Sequence, residues 1–125
     1  MNPSTSIGKI RLCPLTAIPV GGATGFRLET NSGMRDILVV RLDDHYYAYL
    51  NSCPHTGASL DWQPNQFLDS SGTLIQCSTH GALFRIEDGL CIYGPCLNRA
   101  LTPLMTQIED GELFILLRSP VTTNS

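Results

Sequence analysis

Charge is scarce in this 125-residue chain: 15% of its residues are Asp, Glu, Lys or Arg, and Lys9 is the one lysine. The seven arginines are spread thinly from Arg11 to Arg118, and the net charge is −3. Without a basic patch, a nucleic-acid backbone is not an expected partner. Long hydrophobic runs are missing too. Stretches such as Ile37-Leu38-Val39-Val40 fall far short of the ~20 residues that a membrane-spanning helix needs, so no membrane partner is expected. The first nine residues lack the apolar stretch of a secretory signal, so the expected location is the cytoplasm. No window repeats its apolar residues at the helical period of 3.6. Neither a Gly-rich nucleotide loop nor a Ser-His-Asp set is present, which argues against turnover of a substrate by this chain alone.

Turn residues and β-formers are abundant instead. Gly21-Gly22, Asn31-Ser32-Gly33, Asp43-Asp44, Ser70-Ser71-Gly72, Asp88-Gly89 and Asp110-Gly111 punctuate the chain. Between them, strands are expected over Ile10–Pro14, Phe26–Glu29, Asp36–Leu42, His45–Leu50, Thr73–Gln76, Leu83–Ile86, Leu90–Tyr93, Met105–Glu109 and Leu113–Leu117. Asp43-Asp44 and Asp110-Gly111 read as two-residue hairpin turns, the second with a type I′ sequence. Short strands with frequent turns indicate an all-β fold. At 42% hydrophobic residues the chain can build a core, and its length fits one domain, 1–125, whose polar tail 119–125 is expected to fray.

Five cysteines and three histidines make up the chemically reactive set. An odd cysteine count with no export signal disfavours a disulfide framework and favours ligands or buried thiols. Two segments stand out, each following an expected strand and each ending on glycine: Cys53-Pro54-His55-Thr56-Gly57 and Cys77-Ser78-Thr79-His80-Gly81. Each places one thiolate and one imidazole within a single turn. Glycine lets such a loop approach a metal closely, adopt positive φ and aim backbone N–H groups inward. Two such pairs, with 21 residues between His55 and Cys77, form a far more specific pattern than one C-x-H. A Cys₂His₂ zinc site is the rival on composition, although zinc fingers pair Cys with Cys and His with His.

Cys53-x-His55 followed by Cys77-x-x-His80 resembles the motif of the Rieske [2Fe–2S] family, and Gly94-Pro95 resembles that family's proline loop. The resemblance covers about residues 36–117. It implies an all-β fold of stacked antiparallel sheets, with a small cluster-binding subdomain at about 50–98. It also implies one [2Fe–2S] cluster, with Cys53 and Cys77 on one iron and His55 and His80 on the other. Two ferric ions, two sulfides and two thiolates sum to zero charge. A four-thiolate cluster carries two further negative charges, so neutral imidazoles raise the potential, to roughly −150 to +300 mV. High-potential members carry an extra cysteine in each cluster loop and hydroxyl donors after the second His-Gly. Here those positions are Ala58 and Thr79, and Ala82 and Phe84, so the low end of the range is expected.

The resemblance further implies a one-electron carrier working between a reductase and a terminal oxygenase or other acceptor. Electrons would pass through the exposed edges of His55 and His80, with Pro54, Leu83 and Pro95 as an apolar docking face. Asp61, Asp69, Glu87 and Asp88 are expected to steer a basic partner. An oxygenase centre needs two His and a carboxylate, and one His remains after the cluster takes two. A small subunit of an assimilatory nitrite reductase is the alternative of similar size and fold. Of the other residues, Cys91 and Cys96 are read as small buried thiols rather than a disulfide, Cys13 as packing, His45 as a surface histidine, and Trp62 and Phe67 as anchors of the segment between the ligand loops.

Overall fold

The computed structural model describes residues 7–30, 33–54, 60, 66–77 and 81–118. Among these residues, nine strands run β1 Ile7–Pro14, β2 Ala23–Thr30, β3 Gly33–Leu42, β4 His45–Leu50, β5 Leu74–Gln76, β6 Leu83–Arg85, β7 Cys91–Tyr93, β8 Pro103–Glu109 and β9 Glu112–Arg118. All nine expected strands are present. β4 keeps its expected bounds, and the other long ones extend past theirs because pairing carries them further: β1 begins at Ile7, opposite Arg118, and β2 and β3 pair from Ala23↔Val40 to Thr30↔Gly33. The three short ones each lose one expected residue, Thr73 from the start of β5 among them. Leu90 makes an isolated bridge to Ala100 instead of joining β7, and Ile86 leaves β6. A turn of 3₁₀ helix at Leu15–Ala17 carries no periodic signal at three residues. The expected tail 119–125 and Trp62 lie outside the described residues.

Six strands form one antiparallel sheet in the order β1-β9-β8-β4-β3-β2, and three form a second, β5-β6-β7. The hairpin turns are as the sequence suggests. Asp110 and Gly111 take φ of 51° and 76°, the positive pair that a type I′ turn requires. Asp43 takes φ of 52° between Leu42 and its partner His45.

The four consecutive buried residues Ile37–Val40 explain the layering. Alternate side chains of a strand point to opposite faces. Leu38 and Val40 enter a core with Tyr49, Phe67, Ile75 and Phe84, while Ile37 and Val39 enter another with Cys13, Leu28, Leu113 and Ile115. The β3–β4 hairpin is therefore a shared wall covered on both faces, and such strands read as continuous apolar runs rather than alternation. Cys13 packs in the second core at 5% exposure, and His45 is a surface residue whose ring stacks on Tyr47, 6.3 Å between centroids.

The small sheet is inserted between adjacent strands. The chain leaves the large sheet after Leu50 and returns at Pro103, and the Leu50 N–H donates to the Thr102 carbonyl at 3.0 Å. With its two feet side by side on β4 and β8, the segment can hold a site of its own on a rigid base.

Candidate metal centre

The first candidate ligand segment begins where β4 ends. The side-chain oxygen of Asn51 accepts from the Leu60 N–H at 2.7 Å, closing the loop that starts at Ser52 by tying its two ends together. Leu60 is fully buried, which fixes the far end. The second segment begins where β5 ends. Cys77 N–H donates to the Ala82 carbonyl at 2.8 Å, and Gly81 N–H to the Cys77 carbonyl at 3.0 Å. Gly81 takes φ of 68° to complete that turn. The segment between the loops is pinned by Phe67, 1% exposed, whose carbonyl accepts from Gln76 N–H at 2.8 Å.

The third loop joins the other two. Gly94 has φ of 101°, and a Cβ there would lie 2.8 Å from the Ala82 Cα, so the proline loop rests directly on the second ligand turn. From the same loop, the Arg99 guanidinium donates to the Pro54 carbonyl at 3.1 Å in the first segment. Leu97 N–H donates to the Gly94 carbonyl and Arg99 N–H to the Cys96 carbonyl, which keeps residues 94–99 tightly wound.

These contacts bring Cys53 and Cys77 into one apolar core beside Ala82, Cys91 and Cys96, with exposures of 1% and 0% for the two. Among the described residues, no polar or charged side chain is buried with them. Ionised thiolates in such surroundings need a cation to offset their desolvation, so the pair fits an iron atom. His55 and His80, together with Ala58 and Thr79, lie outside the described residues. All five cysteines are buried and none forms a disulfide, which agrees with reading Cys91 and Cys96 as buried and reduced. Ala82 and Phe84, the positions expected to lack a hydroxyl donor, are both fully buried.

The structure separates the expected docking face from the expected steering charges. Pro54 and Leu83 are half-buried and Pro95 is exposed. Tyr93 at 64% exposure and Leu97 at 55% extend this apolar surface beside the third loop. The sequence reading missed both, because an exposed apolar residue looks the same on paper as a core one. Glu87 and Asp88 instead sit in the turn after β6, the end of the small sheet away from Ala82, a strand length of about 10 Å. Asp69 accepts the N–H of Leu74, the first residue of β5, and so lies at that same remote end. Both aspartates are engaged locally. Asp88 pairs with Arg85, which holds its carboxyl below the usual range, and Asp69 is lowered likewise by the Ser71 hydroxyl and nearby backbone N–H groups. Asp61 lies outside the described residues.

The comparisons with known proteins agree with this geometry. The family model of the Rieske [2Fe–2S] domain matches residues 10–114. Ferredoxin CarAc of Metapseudomonas resinovorans is 30% identical over 83 residues, 66% of this chain and 72% of that protein. Among solved structures, a complex of reduced oxygenase and oxidized ferredoxin in carbazole 1,9a-dioxygenase includes a chain that is 25% identical with a TM-score of 0.69, covering 89% of this chain and 95% of that one. The ferredoxin of carbazole 1,9a-dioxygenase from Nocardioides aromaticivorans shares the fold at 23% identity and a TM-score of 0.68, over 86% of this chain and 95% of that one. Among the described residues, no helix is long and apolar enough to cross a membrane.

Proposed function

This chain belongs to the Rieske [2Fe–2S] domain family, and from that premise we propose that Cys53, His55, Cys77 and His80 are the four ligands of its cluster. The protein is an electron carrier rather than a catalyst and holds one [2Fe–2S] cluster. Its partners are redox proteins. The observation that supports the ligand set is the meeting of Cys53 and Cys77 in one sealed apolar core. His55 and His80 follow them by two and three positions in the matching motif.

Such a cluster accepts and releases one electron. The residues around it set the terms of that exchange. Cys53 and Cys77 supply the thiolates from the buried side, where Phe84, Leu60 and Phe67 exclude water. Gly94 and Arg99 clamp the third loop over both ligand loops, so the donor set is held before and after the charge changes. That rigidity keeps reorganisation small. The apolar surface of Pro54, Leu83, Pro95 and Leu97 gives a partner a way to approach without stripping charged groups of water.

The electron donor in this reading is a reductase and the acceptor a terminal oxygenase; the similar solved complex of reduced oxygenase and oxidized ferredoxin supports the acceptor. The chain acts as a single domain over 1–125, with the cluster in the 50–98 segment, in the cytoplasm. The test is iron and acid-labile sulfide content of the purified protein. Two irons and two sulfides per chain are expected, and replacing His55, His80, Cys53 or Cys77 singly removes the visible absorption of the cluster. A variant at one of these four positions that keeps an unaltered spectrum overturns the assignment. The midpoint potential is expected below about +100 mV, in the lower part of the Rieske range.

A further inference from the structure

The Sγ of Cys96 lies 3.6 Å from the Sγ of Cys53, and Cys96 is 0% exposed. Its position is set from both sides. Gly94, two residues before it, is packed on Ala82, and Arg99, three residues after it, donates its N–H to the Cys96 carbonyl at 2.8 Å. The same arginine reaches the Pro54 carbonyl, next to Cys53. Cys91, the other cysteine of this region, directs its S–H to the Tyr93 carbonyl at 3.2 Å.

We propose that Cys96 is a positioning residue for electron transfer, its S–H donating a hydrogen bond to the sulfur of Cys53. The inference rests on the reading that Cys53 is a cluster ligand. Between two thiols either sulfur can donate. Once Cys53 binds iron as a thiolate it has no proton, and Cys96 is the donor of the pair. Reduction adds negative charge that the ligand sulfurs share, so a donor aimed at one of them favours the reduced state. Ala82 and Phe84, the positions after the second His-Gly, carry no hydroxyl for this purpose. The third loop supplies a thiol in its place, a weaker donor that raises the potential without carrying it to the top of the family's range.

The experiment compares wild type, Cys96→Ala and Cys96→Ser by redox titration. Both substitutions remove packed volume, and serine alone keeps a donor. A net hydrogen bond corresponds to about a threefold to tenfold change in the ratio of reduced to oxidised protein at fixed ambient potential. That is a fall in midpoint of about 30 to 60 mV at 59 mV per tenfold. Cys96→Ala is expected to show this fall and Cys96→Ser to stay near wild type, with the cluster's EPR signal preserved in both. Equal midpoints in all three proteins, or equal shifts in both variants, overturn the proposal. The infrared S–H region of the wild type provides a check that needs no variant: a donated S–H band moves to lower wavenumber on reduction, and the absence of any redox-sensitive S–H band overturns it. If instead the wild type shows no cluster with histidine ligands, or Cys53→Ser leaves the spectrum unaltered, it is the ligand assignment that has failed.

Discussion

The hydroxyl of Tyr49 donates a hydrogen bond to the carbonyl of Ile86 at 2.5 Å, joining the wall of the large sheet to the end of β6. Both residues are buried, at 2% and 1% exposure. Gly89 makes room for the ring, since a Cβ there would lie 2.8 Å from Tyr49 Cε1. Removing the hydroxyl leaves the Ile86 carbonyl desolvated without this partner. Tyr49→Phe is therefore expected to lower stability by about 1–3 kcal/mol in denaturant unfolding. A variant as stable as wild type would show that this bond does not anchor the small sheet.

The same burial produces a pH dependence. Desolvation, with smaller contributions from Asp88, Tyr47 and Glu87, pushes the Tyr49 phenol up to about 12 from an ordinary 10. Between these values the folded protein keeps a proton that the unfolded chain has released. Stability therefore falls as pH rises above 10 and levels off near 12, by on the order of 2 kcal/mol. Unfolding of wild type and Tyr49→Phe across this range measures the difference, and the step should be missing from the variant.

Gly94 and Gly111 offer a matched pair. Both have positive φ, 101° and 76°, but an added Cβ meets Ala82 at Gly94 and open space at Gly111. Alanine at either position carries backbone strain of about 1–2 kcal/mol. Only Gly94→Ala also forces the third loop away from the second ligand turn. It should shorten the half-life of the cluster, followed by loss of visible absorption in chelator, whereas Gly111→Ala should lose stability and retain its cluster. Equal cluster lifetimes in the two variants would contradict the clamp described for the third loop.

Docking should depend on apolar contact more than on the carboxylates first expected to steer it. Leu97→Asp places charge on the exposed surface beside Pro95 and should slow transfer to an acceptor by about tenfold, the scale of one lost apolar contact. Asp88→Asn, at the remote end of the small sheet, should change the rate less than about twofold. Stopped-flow reduction of the acceptor measures both, and the reverse order would return the steering role to Asp88.

Much of this was legible in the sequence because strands and turns here are specified locally. Asp110-Gly111 dictates its own turn, and the Cys-x-His and Cys-x-x-His pairs carry the family resemblance that the domain match bears out. What could not be read was set by contacts distant along the chain. Nothing near Cys96 in sequence reveals that its sulfur meets Cys53, and nothing near Tyr49 names Ile86. Where the carboxylates expected to steer a partner lie was hidden for the same reason. Asp88 is close to the ligand loops in sequence, but the direction of β6 carries it to the far end of the sheet.

The most direct test of the account is pulsed EPR of the reduced protein grown with ¹⁵N-histidine. Strong hyperfine coupling to two histidine nitrogens is expected, changing with the isotope and lost in His55→Ala or His80→Ala. A reduced cluster without histidine coupling would contradict it, as would a protein that contains zinc and no sulfide.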